Sequence, residues 1–523
     1  MAGLKKALFV GLMLPAMAAS AEAETFTWST QTDPSSMDPH AVNAAPVLSF
    51  LNNIYEGLVR RGPDMTLEPS LATSWEPMGT EGWRFTLREG VRFHDGAAFD
   101  SDDVVFSFER ASSEVSDVKS FFATIDRVEA PDAFTVEFYT KAPDALFPSG
   151  IANWLILDRD WAEATGATVP DPEGEGTANR EANGTGPFQL VSRVPDEETV
   201  VAPFADWWGE AEHNITEAVL KPLSTDATRV AALLAGDVDM IEPVPLQDIE
   251  RIRQSGELTV HQGVEARVMF LGFDHQSDEL RLGDAGGTNP FRDVGVRRAI
   301  YQAIDAQAIA TQIMRGTAQP TGLLVTPGVE GYKPEADARL ETNREAAQAA
   351  LAEAGYEDGF SFTLRCPNDR YINDEATCTA VVAMLAQIGL DVTLDSVPVS
   401  QYWTELREGQ FDMYLLGWSP GTFDAEHPIR FLMHTPDSDG RLGSWNFGGY
   451  SNARVDELLP PIQQELDAAK RQAMIDEVHQ ILKNDVPYVP LHVQPLVWAA
   501  KDEIELIQRP DNFFLLRWVK INS

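Results

Sequence analysis

An α/β fold with more than one substructure is predicted by three features of this 523-residue chain. Residues 82–110 read as a strand, a turn and a helix. Trp83, Phe85 and Leu87 alternate on one face, and Glu89-Gly90 and Asp95-Gly96 supply turns. Asp100 or Ser101 then caps a helix that carries Val104, Val105 and Phe108 inward. Residues 360–397 read as strand, helix and strand, an order that implies a parallel pair joined by a crossover. Finally, a chain this long exceeds what one core holds, so two or three substructures are expected.

The first 23 residues have the layout of an export signal. Lys5-Lys6 give a short positive region, Ala7 to Ala19 an apolar run broken by Pro15, and Ala21-Glu22-Ala23 a small-x-small cleavage site, which makes Glu24 the first mature residue. The apolar run is too short for a bilayer, which takes roughly 20 residues. No cysteine stands near the cleavage point, so no lipid anchor is expected, and the setting this implies is a periplasm. No later stretch has the length of a membrane span. The formal net charge is −41, and removal of Lys5, Lys6 and Glu22 makes it one unit more negative. Such a field repels nucleic acid and anionic membranes, and neither is expected as a partner. Solubility or a salty habitat accounts for the charge; steering of cationic ligands is the alternative. Only Cys366 and Cys378 are present. In an oxidising compartment a disulfide is the first expectation and two buried thiols the second.

Along the chain, Phe26 to Ser29 reads as a strand that runs into a turn-rich loop, Thr30 to His40, ending Met37-Asp38-Pro39-His40. Ile54 to Val59 and Leu67 to Trp75 follow. The acidic stretch 170–182 reads as an exposed loop. Asn183-Gly184-Thr185-Gly186-Pro187-Phe188 is a glycine turn before a strand; it lacks the Lys-Ser/Thr of a phosphate loop. Trp207-Trp208-Gly209 comes next, then a short helix from Thr228 to Ala235 ended by Gly236, then Asp237-Val238-Asp239-Met240. Val268 to Leu271 is taken as a strand crossing between substructures. Val296, Ala299, Ile300, Ala303, Ile304 and Ile313 read as one apolar helical stripe. Asn343 caps a helix ended by Gly355. Strand 360–366, helix 375–388 and strand 391–397 follow, with Phe411 to Trp418 another buried strand. A helix near 468–484 precedes the return segment Pro487 to His492.

The wording of these segments is similar to a known family. Leu-Arg-x-Gly-Val-x-Phe-His-Asp-Gly at 87–96 and Asp-Asp-Val-x-Phe-Ser-x-x-Arg at 102–110 resemble the signature of the family 5 extracellular solute-binding proteins, the dipeptide, oligopeptide and nickel receptors of ABC importers. The other phrases above match the same family across essentially the whole mature chain. The resemblance implies a two-lobed, three-part periplasmic binding protein fold of the peptide-receptor type, with a two-strand hinge and ligand trapped between the lobes. Residues 24–53, 183–268 and 487–523 would form the core of lobe one, 54–182 an inserted subdomain of that lobe, and 269–486 lobe two. The loop carrying Met37-Asp38-Pro39-His40 would line the cleft.

Motifs for catalysis are scarce. There is no Gly-x-Ser-x-Gly, no His-Glu-x-x-His and no Cys-x-x-Cys, and the nine histidines never pair at helical spacing around a carboxylate. Neither an enzyme activity, a metal nor a cofactor is expected. Binding fits better, because a receptor needs a few orienting polar groups inside apolar and aromatic walls. One candidate loop runs from Cys366 to Asp374, just before a helix N-terminus, and contributes Arg370, Tyr371 and Asn373. Arg370 is suited to a ligand carboxylate through two parallel hydrogen bonds, or to a salt bridge with a neighbouring aspartate. By the resemblance, peptide receptors place a carboxylate-binding Arg in about this loop. The second loop contributes Gly417, Trp418, Ser419 and Asp424, and resembles the Gly-Trp loop whose acidic residue pairs with a peptide amino terminus. The chain departs from the pattern there, because Gly421 stands where dipeptide receptors have the acidic residue. Trp403, Trp445 and Asn446 are candidates for an aromatic wall and an amide, with Thr32 and Asp33 on the opposite lobe.

The sequence therefore predicts a monomeric receptor. It would capture a short peptide or peptide-like solute and deliver it to the permease subunits of an ABC transporter in the inner membrane. Receptors for a nickel chelate, an opine or a sugar are the alternatives within that class, and a hydrolase or chaperone on the same scaffold is the alternative outside it.

Overall fold

A computed structural model describes residues 24–172, 174, 176–438 and 441–522; the expected export signal lies outside them. The main element is an 11-stranded sheet shared by both lobes. Thr25–Ser29 pairs in parallel with Glu217–Leu220 and Met240–Ile241 on the lobe-one side. On the lobe-two side Ser361–Pro367 lies between Asp391–Val397 and Met413–Trp418, parallel to both. Two long antiparallel strands, Leu258–Phe273 and Tyr488–Lys501, join the halves. Their pairing runs from Leu258 opposite Lys501 to Val264 opposite Pro495, slips, and resumes from Val268 opposite Val493. At the slip, Ala266 N–H donates to the Pro510 carbonyl (2.7 Å) and Gln494 Nε2 to Glu265 Oε2 (2.6 Å). The crossing in the second strand thus falls near Pro495, whose ring cannot donate to a ladder. Tyr488 to Val493 pairs on the lobe-two side.

A separate four-stranded antiparallel sheet, ordered Ala72–Pro77, Gly82–Leu87, Thr135–Thr140, Ile125–Asp132, carries its own core around Phe85, Phe138, Phe147 and Trp154. The helix Ser101–Ala111 packs on it. Asp100 caps that helix, with the Asp103 carboxylate returning to the Asp100 N–H.

The signature phrases meet as structural knots. Arg110 at the end of that helix is fully buried and makes a two-pronged ion pair with Asp38 (2.6 and 2.7 Å), with His40 Nδ1 also at 2.9 Å. The Asp38-Pro39-His40 turn does not line a cleft, because Asp38 and His40 are 0 % exposed. Their polar groups are spent on tying the first loop to the inserted subdomain. His94 Nε2 lies 3.0 Å from the Gly186 carbonyl, and Glu56 accepts from Thr185 Oγ1 (3.1 Å) and Trp208 Nε1 (2.7 Å). A Cβ on Gly184 would sit 2.1 Å from the Ile54 carbonyl oxygen, so the turn admits only glycine there. The stretch 170–182 is not wholly exposed either: Ala178 and Asn179 are buried, and Ser36 donates to Asn179.

Lobe two holds two apolar clusters, one on each side of its sheet strands. Leu364, Val381, Leu385 and Met413 belong to one; Phe270, Tyr402, Leu416 and Val478 belong to the other. The expected stripe from Val296 to Ile313 is not one helix. Val294–Ala303 ends at Ile304, where the backbone is extended, and Asp305 caps a new turn by accepting from Ala308 N–H (2.9 Å). The apolar spacing continued across a cap that a carboxylate one residue past the break imposes. Cys366 and Cys378 are joined in a disulfide, linking the strand Ser361–Pro367 to the helix Asp374–Ala386.

Candidate functional site

The parallel strands of lobe two end on the same edge, and their loops form the candidate site. The first loop follows Pro367. Asp374 reaches back from the first turn of the helix, and its carboxylate accepts the N–H groups of Arg370 (2.9 Å) and Tyr371 (3.0 Å). The loop is therefore held at both ends, by Asp374 and by the disulfide. Arg370 itself is exposed, makes no ion pair with its neighbouring aspartates among the described residues, and lies 5.1 Å from the centroid of the Tyr371 ring. Tyr371 is buried against Gly417, where a Cβ would come within 2.7 Å of the tyrosine ring. Glycine at 417 is what lets the two loops touch. Asn373 turns away: it adopts a left-handed backbone (φ 53°), and its amide donates to the Ile313 carbonyl (2.9 Å).

The second loop starts at Trp418, which the structure brings together with Trp403 and Trp445. The rings of Trp403 and Trp445 are 5.5 Å apart, as are those of Trp418 and Trp445. Two residues not expected to join the aromatic set do so: His427 lies 5.3 Å and Phe431 5.8 Å from Trp418. Their placement depends on the turn at 420–425, which returns the chain over the tryptophan and leaves no periodic signal in the sequence. Trp418 Nε1 and His427 Nδ1 are buried without a hydrogen-bond partner among the described residues. Burial, with Arg430 second, pushes His427 down to about 3, so its ring is neutral. Ser419 is half-buried at the rim and Gly421 is exposed.

Asp424 and Asn446 are occupied within the protein. Asp424 is 2 % exposed and makes a two-pronged pair with Arg471 (2.6 and 2.8 Å). Glu426 N–H is its third donor (2.7 Å). Asn446 donates to the carbonyls of His434 (3.0 Å) and Tyr450 (2.8 Å) and accepts from Tyr450 N–H (3.0 Å). On lobe one, Thr32 is exposed, whereas Asp33 is spent on Arg193 (2.6 Å) with both side chains buried.

The inserted subdomain reaches lobe two at the same loop. Arg61 Nη2 and Ser149 Oγ both donate to the Thr422 carbonyl (2.6 and 2.8 Å), and the Arg61 guanidinium lies 4.8 Å from the Phe423 ring centroid. Ala145 N–H donates to the Gln463 carbonyl (2.9 Å). Sequence reasoning missed these residues. Arg60-Arg61 is visible as a basic pair, but nothing local says that its acceptor lies 361 positions away.

The family model described as "Bacterial extracellular solute-binding proteins, family 5 Middle" matches residues 66–440. Among curated proteins, the chain is 25 % identical over 482 residues to the glutathione-binding protein GsiB of Salmonella typhimurium, covering 88 % of each chain. It is 26 % identical over 519 residues to the probable deoxycholate-binding periplasmic protein YgiS of Escherichia coli, covering 93 % of this chain and 91 % of that one. Among solved structures it is similar in fold to HbpA2 from Haemophilus parasuis, with a TM-score of 0.82 at 23 % identity, covering 95 % of this chain and 100 % of that one.

Proposed function

The chain belongs to the family 5 bacterial extracellular solute-binding proteins, and from that premise we propose that it captures a carboxylate-bearing peptide or peptide-like solute between its lobes. It is a solute-binding protein of the kind that delivers ligand to an ABC transporter. Among the described residues no helix is long and apolar enough to cross a membrane. In the proposed reading the protein is a periplasmic monomer, freed by cleavage after Ala23 without a lipid anchor. It releases its ligand unchanged to the permease subunits.

The observation that carries the ligand class is the contrast between Arg370 and Asp424. Arg370 is an exposed guanidinium with no ion pair among the described residues, on a loop braced by Asp374, with the Tyr371 ring beside it. A planar pair of donors so placed suits a carboxylate. Asp424, the residue nearest to an ammonium acceptor, already carries Arg471, and Gly421 offers no charge. The ligand then needs a carboxylate and an apolar or planar body, and does not need an α-ammonium group. The relatives named for glutathione and deoxycholate bind, by those names, solutes that are both carboxylates.

Mass spectrometry of ligand released from natively purified protein, followed by calorimetry with it, tests the reading. Arg370→Ala should bind at least tenfold more weakly, about 1.4 kcal/mol or more. A released ligand without a carboxylate, or equal affinity of Arg370→Ala and wild type, overturns it.

A further inference from the structure

A cavity of about 160 Å³ opens in lobe two, away from the capture loops. It lies between the helix Ala468–Asp485, the start of the strand Tyr488–Lys501 and the segment 322–340. None of residues 366–374 or 417–427 lines it, nor do Trp403 and Trp445. Strand pairing gives the separation. Trp418, at the cleft edge, stands opposite Val268, whereas Tyr488 stands opposite Gly272. That stretch of strand places Tyr488 about 13 Å along the sheet from the cleft edge.

The walls are apolar and preformed. On the helix, His479, Leu482 and Lys483 recur at spacings of three and four, so one face lines the cavity. Leu323, Leu324 and Tyr488 line it from the other elements. The loop that carries the two leucines is fixed, because the Asp337 carboxylate accepts from Thr321 Oγ1 (2.6 Å), Gly322 N–H (2.7 Å) and Leu323 N–H (3.2 Å). A Cβ on Gly322 would sit 2.7 Å from the Asp337 carbonyl oxygen, so glycine permits this close approach. Tyr488 donates its hydroxyl to the Leu432 carbonyl, which leaves its ring for an occupant.

One charged group lines this space, Lys483. His479 is neutral, because burial pushes it down to about 4. Lys483 is half-buried and makes no hydrogen bond or ion pair among the described residues. The carboxylates that act on His479 are committed elsewhere, Asp476 to Lys333 (2.5 Å) and Asp337 to the loop backbone. In a chain with 81 acidic and 40 basic residues, an ammonium without a carboxylate, beside an apolar cavity, suits the cavity to an anion. A space of about 150 Å³ holds one benzene-sized body. A sugar or a phosphate would leave its polar groups unpaired against leucine.

We propose that this cavity is a second binding site, separate from the interlobe cleft, for a small monocarboxylate with an apolar body about the size of benzene. The body fills the space among Leu323, Leu324 and Leu482. The carboxylate meets Lys483, whose flexible stem lets the ammonium reach the opening. The site does not depend on what the cleft captures.

Fluorine NMR titration of the full mature protein with 4-fluorobenzoate tests the site, with fluorobenzene as the neutral control. A molecule of this size should bind wild type in about the millimolar range. Lys483→Met keeps most of the bulk and removes the charge. It should weaken 4-fluorobenzoate about threefold or more and leave fluorobenzene unchanged. Leu482→Trp, at the half-buried rim, should fill the space and weaken both. Equal affinity of 4-fluorobenzoate for Lys483→Met and wild type overturns the proposal, as does unchanged binding to Leu482→Trp or the absence of saturable binding. Weakening by Arg370→Ala would put the probe in the cleft and equally overturn it.

Discussion

Asp424 and Arg471 illustrate how a charged pair inside a binding loop is committed to architecture. Both side chains are buried, at 3 % and 9 % exposure, and the guanidinium additionally donates to the Ile462 carbonyl (2.8 Å). The pair fixes the turn that carries His427 back over Trp418. Removing one member leaves the other charged and desolvated, so Arg471→Leu should destabilise the protein by about 3–5 kcal/mol. The double replacement Asp424→Asn with Arg471→Leu should cost less than the sum of the single changes. Urea unfolding of the four proteins measures this; additive costs would show that the two charges do not depend on each other. Asp424→Asn is for the same reason a poor probe of ligand charge, whereas the exposed Arg370 side chain has no ion pair among the described residues and only the Tyr371 ring beside it.

At the scale of elements, the Cys366–Cys378 bridge spans a separation of 12 residues and encloses the loop that presents Arg370. Closing such a loop is worth about 3 kcal/mol in the chain-entropy model, so reduction or Cys366→Ala with Cys378→Val should lower stability by about that much. The same change should raise hydrogen exchange at 368–373 more than elsewhere in lobe two; uniform exchange across the lobe would remove the bridge's local role. How far these elements could be read from sequence depended on distance along the chain. Phe362 and Leu364 alternate inward within one strand, and Val381 and Leu385 repeat within the following helix, so both were legible. Of the three tryptophans of the wall, Trp418 ends a strand and Trp445 stands in a turn, positions where side chains meet over a sheet edge, whereas Trp403 lies within the helix Val399–Arg407, which gives no such local sign. The partners of Asp33 and Asp424 were not, since Arg193 and Arg471 lie 160 and 47 positions away. No local pattern encodes a contact that only the assembled sheet creates. The break at Ile304 was missed for the opposite reason: apolar periodicity persisted through a local cap.

For the whole molecule, two lobes joined by two strands should rotate together around ligand. At a hundredfold excess over Kd, the ligand should stabilise the fold by about 2.7 kcal/mol. X-ray scattering with saturating ligand should show a smaller radius of gyration; no change would refute closure. Acid response is a second global property. Burial drives His40, His94, His275, His479 and His492 down to about 4, and His427 to about 3. An unfolded histidine titrates near about 6.5. Below that value the unfolded chain takes up protons that the folded rings refuse, so stability falls as pH drops toward about 4. Burial acts the other way on Glu242, raised to about 8, and on Glu426 and Asp103, raised to about 7. Their contribution is complete below about pH 4 and is lost as pH rises through those folded values. Burial also lowers His213 and His261 and raises Glu56, Asp144 and Asp158, so eight rings outweigh six carboxyls on the acid side, and only the carboxyls act above about pH 6.5. Urea midpoints should therefore peak near about pH 6.5, with the steeper limb toward acid; a maximum at either end of the range 5–8 would contradict the assignment.

The bridge from Arg61 and Ser149 to Thr422 uses a backbone carbonyl as its acceptor, and neither donor depends on what the cleft holds. Every ligand's closed complex therefore receives the same increment from it. If the bridge forms on closure, it would set the fraction of molecules competent to hold cargo, and with it the apparent affinity for all solutes together, while leaving their ranking untouched. Because the acceptor is main chain, changing the side chain at 422 leaves it in place. Retention time would be adjustable from the opposite lobe, at Arg61 or Ser149, and from lobe two through the Phe423 ring that lies against Arg61. Capture strength and cargo choice are thus written at separate addresses in the chain, one free to drift without disturbing the other.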